Sequence, residues 1–231
     1  MSRTVNVVRM QLVNRETYLW VPLIVLGGSF AITLAVYFLL NRAGVDTAMF
    51  GGGAQAPLWY FLYVGVQALT LTFPFSQAMS VTRREFYLGT LLTAVLASLV
   101  LAAVFVVGGF VEEATDGWGL NGYFFALPWI WDRGWWVAGV LYFAVAMVFF
   151  IIGFWTATIY KRFSSIGLTI VLVAIGLVLV GVLWLVGHLQ AWATVWEWFV
   201  AQGPLGLSLW GLLFIAVLAA TAFPLFRRLT P

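Results

Sequence analysis

The chain has 231 residues, of which 64% are hydrophobic and 8% are charged, with a formal net charge of +3. An average soluble domain carries about 25% charged residues, so this composition excludes a soluble fold and predicts a protein whose solvent is the lipid bilayer. The absence of cysteine excludes disulfides, thiol catalysis and thiolate metal sites.

In chain order, the sequence predicts an amphipathic helix and then six spans, each of about 20 predominantly apolar residues. At residues 4–16, Val5, Val8 and Leu12 share one helical face, which indicates an interfacial helix; a frayed basic tail is the alternative. The predicted spans are residues 18–40, 58–79, 86–110, 135–160, 164–185 and 205–226. Residues 190–202 are too polar to span and predict a short outer helix. The predicted fold class is an all-α polytopic membrane protein, with residues 1–231 forming a single transmembrane domain.

The basic residues are divided unevenly between the two ends of these spans. One side carries Arg3, Arg9, Arg15, Arg83, Arg84, Lys161, Arg162, Arg227 and Arg228, and the other carries Arg42 and Arg133. The positive-inside rule therefore places both termini in the cytoplasm, in agreement with an even number of spans. These orienting charges account for the net charge without a nucleic-acid partner. The outer side is acidic, with Asp46, Glu112, Glu113, Asp116, Asp132 and Glu197, and we interpret Glu112, Glu113 and Asp116 as a solvated loop.

The central portions of the predicted spans carry almost no ionisable residue. Ion-coupled carriers place acidic or basic side chains inside the bundle, so the pattern argues against coupling to protons or sodium. An intramembrane protease is the main enzymatic alternative, because Glu112-Glu113 resembles the paired glutamates of CAAX-type proteases. The arginine of that motif is replaced by Gly117, and His188, the only histidine, is interpreted as a polar residue ending the fifth span. We therefore predict no catalytic residue and no metal site.

Two helical faces stand out within the spans. In the second span, Tyr63, Gln67, Thr70, Pro74 and Gln77 recur at spacings of four and three, which predicts a shared polar face. Polar groups in lipid need partners, so Tyr63, Gln67, Thr70 and Gln77 either line a translocation path or form interhelical hydrogen bonds. In the first span, Gly27, Ala31 and Ala35 form a pattern of small residues that predicts a helix-packing seam.

A short charged turn separates the second and third spans. Thr82, followed three residues later by Glu85, fits the capping-box pattern and predicts a helix start. Arg83 and Arg84 lie inside this turn, where arginines can pair with carboxylates of a partner, and Phe86 or Tyr87 can anchor in a partner's pocket. From spacing alone, an ordinary positive-inside turn explains these residues equally well.

The sequence around this turn resembles a known family. Residues 81–92 read VTRREFYLGTLL and are similar to segments such as GVSRREFFLGKLL, which follow the second span in permease subunits of bacterial ABC exporters, the type-2 permease family. Residues 73–75, FPF, resemble actinobacterial members, and residues 11–15 resemble the family's amphipathic N-terminal helix. The arginine pair at 227–228 and the six-span topology are similar too. Thr90 departs from the pattern, since many members carry a basic residue there.

The resemblance implies a transport subunit without enzymatic activity of its own. Val81, Thr82, Arg83, Arg84, Glu85, Phe86 and Tyr87 would form a coupling helix that docks on a separate ABC ATPase subunit. The chain contains no GxxxxGK[ST] motif, so ATP and Mg²⁺ would be bound by that partner and no cofactor by this chain. A second permease chain, in a homodimer or heterodimer, would complete a path lined by spans two and five.

The cargo and the cellular site follow from the same resemblance. A hydrophobic, lipid-like or peptide antibiotic substrate would be exported across the bacterial cytoplasmic membrane, whose lipid surrounds the chain. The alternative with the same topology is a membrane scaffold or assembly protein that transports nothing.

Overall fold

The computed structural model describes residues 3–45 and 47–227, without the side chain of Arg3. Asp46 and Arg228, used above to orient the chain, lie outside the described residues. Helices dominate, because a backbone N–H or C=O group in lipid must find its hydrogen-bond partner within the protein. The α-helices are α1 (Arg3–Val13), α2 (Val21–Arg42), α3 (Ala56–Gln67), α4 (Phe73–Ala78), α5 (Arg83–Ala114), α6 (Pro128–Trp131), α7 (Trp135–His188) and α8 (Trp192–Arg227).

Short irregular elements complete the chain between these helices. The π-helical turn Glu16–Trp20 leads into α2, and a second one, Ala68–Thr72, joins α3 to α4. Gly52–Gln55 forms a 3₁₀ turn ahead of α3. The strands β1 (Met49–Phe50) and β2 (Gly122–Tyr123) pair in parallel and connect the segment after α2 with the segment after α5.

Within the described residues, five helical segments are long and apolar enough to cross a membrane. They are Glu16–Arg42, Gly52–Ala78, Arg83–Ala114, Trp135–His188 and Trp192–Arg227. The all-α, multi-pass membrane character predicted from composition is thereby confirmed.

Two of these segments contain a sharp break. At Ser164 in α7 the backbone adopts φ 60° and ψ −172°, a conformation that is nearly restricted to glycine, and the helix changes direction where the predicted fourth and fifth spans meet. In α8 the same conformation occurs at Gly203, with φ 61° and ψ −178°. The Gly203 break separates residues 192–202 from the apolar residues 204–227.

The centre of the fold is a close crossing of α3 and α7. A Cβ atom placed on Gly65 would lie 2.2 Å from the carbonyl oxygen of Phe150, and one placed on Gly153 would lie 2.0 Å from that of Leu62. Only glycine permits two backbones to approach this closely. α1 packs on α5, where a Cβ atom placed on Gly89 would lie 2.6 Å from the side chain of Val7.

The second half of α7 lies apart from this centre. Most of residues 165–188 are exposed and none is buried, and they are almost entirely apolar. The last part of α8 packs instead on the first half of α7, where Gly211 faces Ala144.

Candidate functional site

The connection between α4 and α5 is a tight turn closed by backbone hydrogen bonds. Ser80 lies in the left-handed region, with a φ of 57°. Its amide donates to the carbonyl of Gln77 (3.0 Å), and the amide of Val81 donates to the carbonyl of Ser76 (3.1 Å). This pair of bonds is the Schellman arrangement that ends many helices. The side-chain amide of Gln77 also donates to the carbonyl of Val81 (3.1 Å), so α4 ends in a defined geometry.

Thr82 caps the N-terminus of α5 as its spacing to Glu85 predicts. The amide of Glu85 donates to the Thr82 hydroxyl oxygen (3.3 Å), and the amide of Thr82 donates to the Glu85 carboxylate (3.0 Å). The hydroxyl of Thr82 donates to the same carboxylate (2.7 Å). Both reciprocal bonds of the capping box are present, which confirms that prediction. Residues 80–87, termed the corner below, thus have a rigid backbone.

The two arginines of the corner have different surroundings. Arg84 is exposed. Arg83 is half-buried, and its guanidinium group donates to the backbone carbonyl of Arg227 at the end of α8. Arg84 is therefore the more accessible charge, whereas Arg83 connects the corner to the last helix.

Phe86 and Tyr87 are 0% and 4% exposed and belong to the protein core. The ring of Phe86 packs against those of Phe73 and Phe226, at centroid distances of 5.2 and 6.0 Å. The hydroxyl of Tyr87 donates to the carbonyl of Ala219 in α8 (2.6 Å). The expectation that Phe86 or Tyr87 anchors in a partner's pocket is therefore corrected: their side chains are already packed within this chain.

The polar residues of the second span form hydrogen bonds along their own helix. The side-chain amide of Gln67 donates to the hydroxyl of Tyr63 (2.5 Å), and the hydroxyl of Thr70 donates to a backbone carbonyl of the preceding turn (3.0 Å). Gln77 bonds to the turn that follows α4. These hydrogen bonds lie within the second span and the turn that follows it. They are therefore not the interhelical hydrogen bonds that the sequence offered as the alternative to a translocation path. The π-helical turn Ala68–Thr72 also breaks the regular period on which a common face was predicted.

Of these residues, Gln67 lines a cavity. It faces a cleft of about 350 Å³ that also contacts Gln11 and Asn14 near the end of α1. Gln11 is buried, and its side-chain amide donates to the hydroxyl of Thr90 in α5 (2.8 Å). The cleft thus lies between α1 and the second span, and its role in a translocation path stays a prediction.

The small residues of α2 do not form a packing seam within this chain. Gly27, Ala31 and Ala35 are exposed, and a Cβ atom placed on Gly27 would have no neighbour within 4 Å. This prediction is therefore corrected. The close helix contacts occur instead at Gly65 and Gly153.

Glu112 in the last turn of α5 is completely buried, with 0% exposure. One carboxylate oxygen accepts hydrogen bonds from the amide of Phe124 (2.8 Å) and the indole N–H of Trp118 (2.7 Å). The other accepts from the amides of Phe125 and Ala126 (2.7 Å each). Four donors fill the acceptor capacity of a carboxylate, and they offset the cost of removing its charge from water.

Two tyrosines hold the segment that Glu112 binds, residues 122–126, termed the outer strap. The hydroxyl of Tyr37 in α2 donates to the carbonyl of Tyr123 (3.0 Å), and the hydroxyl of Tyr142 in α7 donates to that of Phe125 (2.6 Å). The strap is therefore fastened to α2, α5 and α7 at once.

The interpretation of Glu112 as part of a solvated loop is wrong, whereas Glu113 and Asp116 are exposed. Glu112 was missed because three of its four partners are backbone amides, which carry no residue signature. The available signal was the run Gly117, Gly119 and Gly122, since glycines permit a sharp chain reversal over a helix end.

His188 is exposed near the end of α7, and its ring stacks on that of Trp184 with centroids 5.2 Å apart. Within residues 3–45 and 47–227, no group of three or more His, Asp or Glu side chains could hold a metal ion.

The length and apolarity of the helices define this protein as a multi-pass α-helical membrane protein. Comparison with protein-family models gives no match, and comparisons with curated proteins and with solved structures give no significant match. The resemblance to ABC permeases therefore depends on the residues of the corner and on the pattern of spans.

Proposed function

We propose that the chain is the membrane-spanning permease subunit of an ATP-driven exporter in a bacterial cytoplasmic membrane, of the ABC type-2 permease class. The observation that carries the proposal is the corner, a capped and basic turn between two apolar helices in a segment that resembles the family's coupling helix. Its Schellman turn and capping box give the rigidity that a docking element needs to transmit force.

The topology that goes with this proposal has six crossings and both termini in the cytoplasm. At 1.5 Å per residue, the 54 residues of α7 span roughly 81 Å, more than twice the hydrocarbon core of about 30 Å. The break at Ser164 follows Lys161 and Arg162, so α7 would cross twice with its bend in the cytoplasm. Residues 192–202 would form the short outer helix, and α1 would lie at the cytoplasmic interface.

The corner would receive force through its exposed part and pass it on through its buried part. Val81, Thr82, Arg83, Arg84 and Glu85 would contact a separate ABC ATPase subunit, which binds the ATP and Mg²⁺. The buried rings of Phe86 and Tyr87 are packed against α8, and close-packed interiors transmit strain. A displacement of the corner would thus move α5 and α8 together and reorient a cavity shared with a second permease chain.

The substrate class follows from the apolar surface of the protein. Residues 165–188 expose an almost uninterrupted apolar surface, which suits a hydrophobic, lipid-like or peptide antibiotic cargo.

If the chain is a scaffold that transports nothing, Gln67→Ala will change protein stability alone and leave drug resistance or transport unaltered.

The deciding experiment is affinity purification of the chain from its native membrane, followed by a search for a co-purifying ABC ATPase subunit. Arg84→Glu should abolish capture of the ATPase, because it reverses the exposed charge of the corner. Arg133→Glu is the matched control, since Arg133 is an exposed arginine on the opposite side. Retention of the ATPase by both variants, with transport unaffected, would contradict the proposal.

A further inference from the structure

A groove of about 450 Å³ lies between the beginning of the chain and α5. Apolar side chains line it on both sides, and Arg15 is its charged residue; the lining includes Leu12, Leu19, Trp20, Leu96 and Val100. The volume is in the range of ligand-binding pockets. The groove combines an apolar wall with a single cation.

The depth of the groove follows from the length of α5. Glu113 is an exposed acid and must lie outside the hydrocarbon region. A hydrocarbon core takes about 20 helical residues, so its other limit is near Thr93. Leu96 and Val100 therefore lie inside the bilayer, one to two turns beyond that limit.

Arg15 belongs at the level of the lipid headgroups. Gln11 is bonded to Thr90, just outside the same limit, and Arg15 follows Gln11 by only four residues, beyond the end of α1 at Val13. The guanidinium group thus lies beside the headgroups while the apolar lining extends toward the acyl chains. Glu16, the adjacent acid, is not part of the groove lining.

We propose that this groove is a binding site for one anionic phospholipid. Arg15 would pair with the headgroup phosphate through two parallel hydrogen bonds, and one acyl chain would fill the space beside Leu96 and Val100. An anionic lipid is favoured over a zwitterionic one because it has no choline cation to compete with the guanidinium group for the phosphate. The side of the membrane with most of the basic residues also attracts anionic lipids. The assignment of this site to the cytoplasmic leaflet depends on the topology proposed above. The existence of the site does not depend on that topology.

Native mass spectrometry of the purified chain with phosphatidylglycerol or phosphatidylcholine of identical acyl chains tests this site. We expect phosphatidylglycerol to bind the unmodified chain about tenfold more tightly, a ratio equivalent to about 1.4 kcal/mol. Arg15→Gln should remove this preference. Arg9→Gln is the matched control, because Arg9 is an exposed arginine of the same basic segment that is not part of the groove lining.

A second variant tests the apolar part of the site independently of charge. Ala97 lines the groove, so Ala97→Trp should fill it and reduce binding of both lipids several-fold. Equal loss in Arg9→Gln and Arg15→Gln would mean diffuse attraction by the basic segment and would overturn the proposal, as would equal binding of the two lipids by the unmodified chain. No ATPase takes part in this measurement, so a negative result for lipid binding would leave the permease proposal standing. In the same way, a negative result for the permease proposal would leave the lipid site standing.

Discussion

At the scale of single residues, Glu112 organises the chain that follows α5. A buried carboxylate is tolerated only when its charge is compensated by good hydrogen bonds, and Glu112 receives four of them from N–H groups. Glu113 next to it faces solvent. Two adjacent acids of identical chemistry therefore have different roles, which depend on the face of α5 that each occupies.

Replacing Glu112 should destabilise the protein strongly. Glu112→Ala leaves four donors without an acceptor, three of them buried, and each unsatisfied buried donor costs about 1–3 kcal/mol. We expect a loss of more than about 3 kcal/mol, equivalent to roughly 10 °C in thermal unfolding for a chain of this size. Measurement of Tm in detergent checks this, with Glu113→Ala as the control. Equal small shifts in both variants would show that the outer strap is not held by Glu112.

At the scale of helices, contact depends on the absence of side chains at two positions. Gly65 and Gly153 let α3 and α7 approach until backbone meets backbone. Gly27, Ala31 and Ala35 of α2 have the composition of a packing seam but are exposed, and a Cβ atom on Gly27 would have no neighbour within 4 Å. A pattern of small residues is therefore not sufficient to produce a close crossing within the chain.

Gly153→Ala should weaken this crossing, since its new Cβ atom would meet the backbone carbonyl of Leu62. Backbone cannot move aside as a side chain can, so we expect a cost at or above the upper end of the usual 1–3 kcal/mol for overpacking. Gly27→Ala, also within a helix but with open space around it, should be neutral or slightly stabilising. Denaturation of both variants in the same detergent compares them. A Gly153→Ala variant as stable as Gly27→Ala would argue against the crossing.

At the scale of the whole molecule, the proposed six crossings depend on the break at Ser164. The strained backbone at Ser164 and the length of α7 both favour two crossings with a bend between them. The corner and this bend would then lie on the same side, opposite the outer strap.

Cysteine labelling of intact cells tests this topology directly, because the natural chain has no cysteine to remove. We expect an impermeant thiol reagent to label Glu113→Cys and Glu197→Cys from outside, and to label Arg84→Cys and Ser165→Cys only after the cells are opened. The unmodified chain is the blank. Labelling of Ser165→Cys from outside would contradict the six-crossing arrangement.

The sequence by itself determined the class of protein, the approximate position of the apolar helices and the capped start of α5. These properties depend on composition and on residues three or four apart, which act through local physics. Tertiary structure decided what each side chain faces: the burial of Phe86 and Tyr87, the exposure of the α2 small residues, the Gly65 and Gly153 crossing and the four bonds to Glu112. Those contacts join residues that are distant in the chain, or involve backbone groups common to every residue, so no local pattern encodes them.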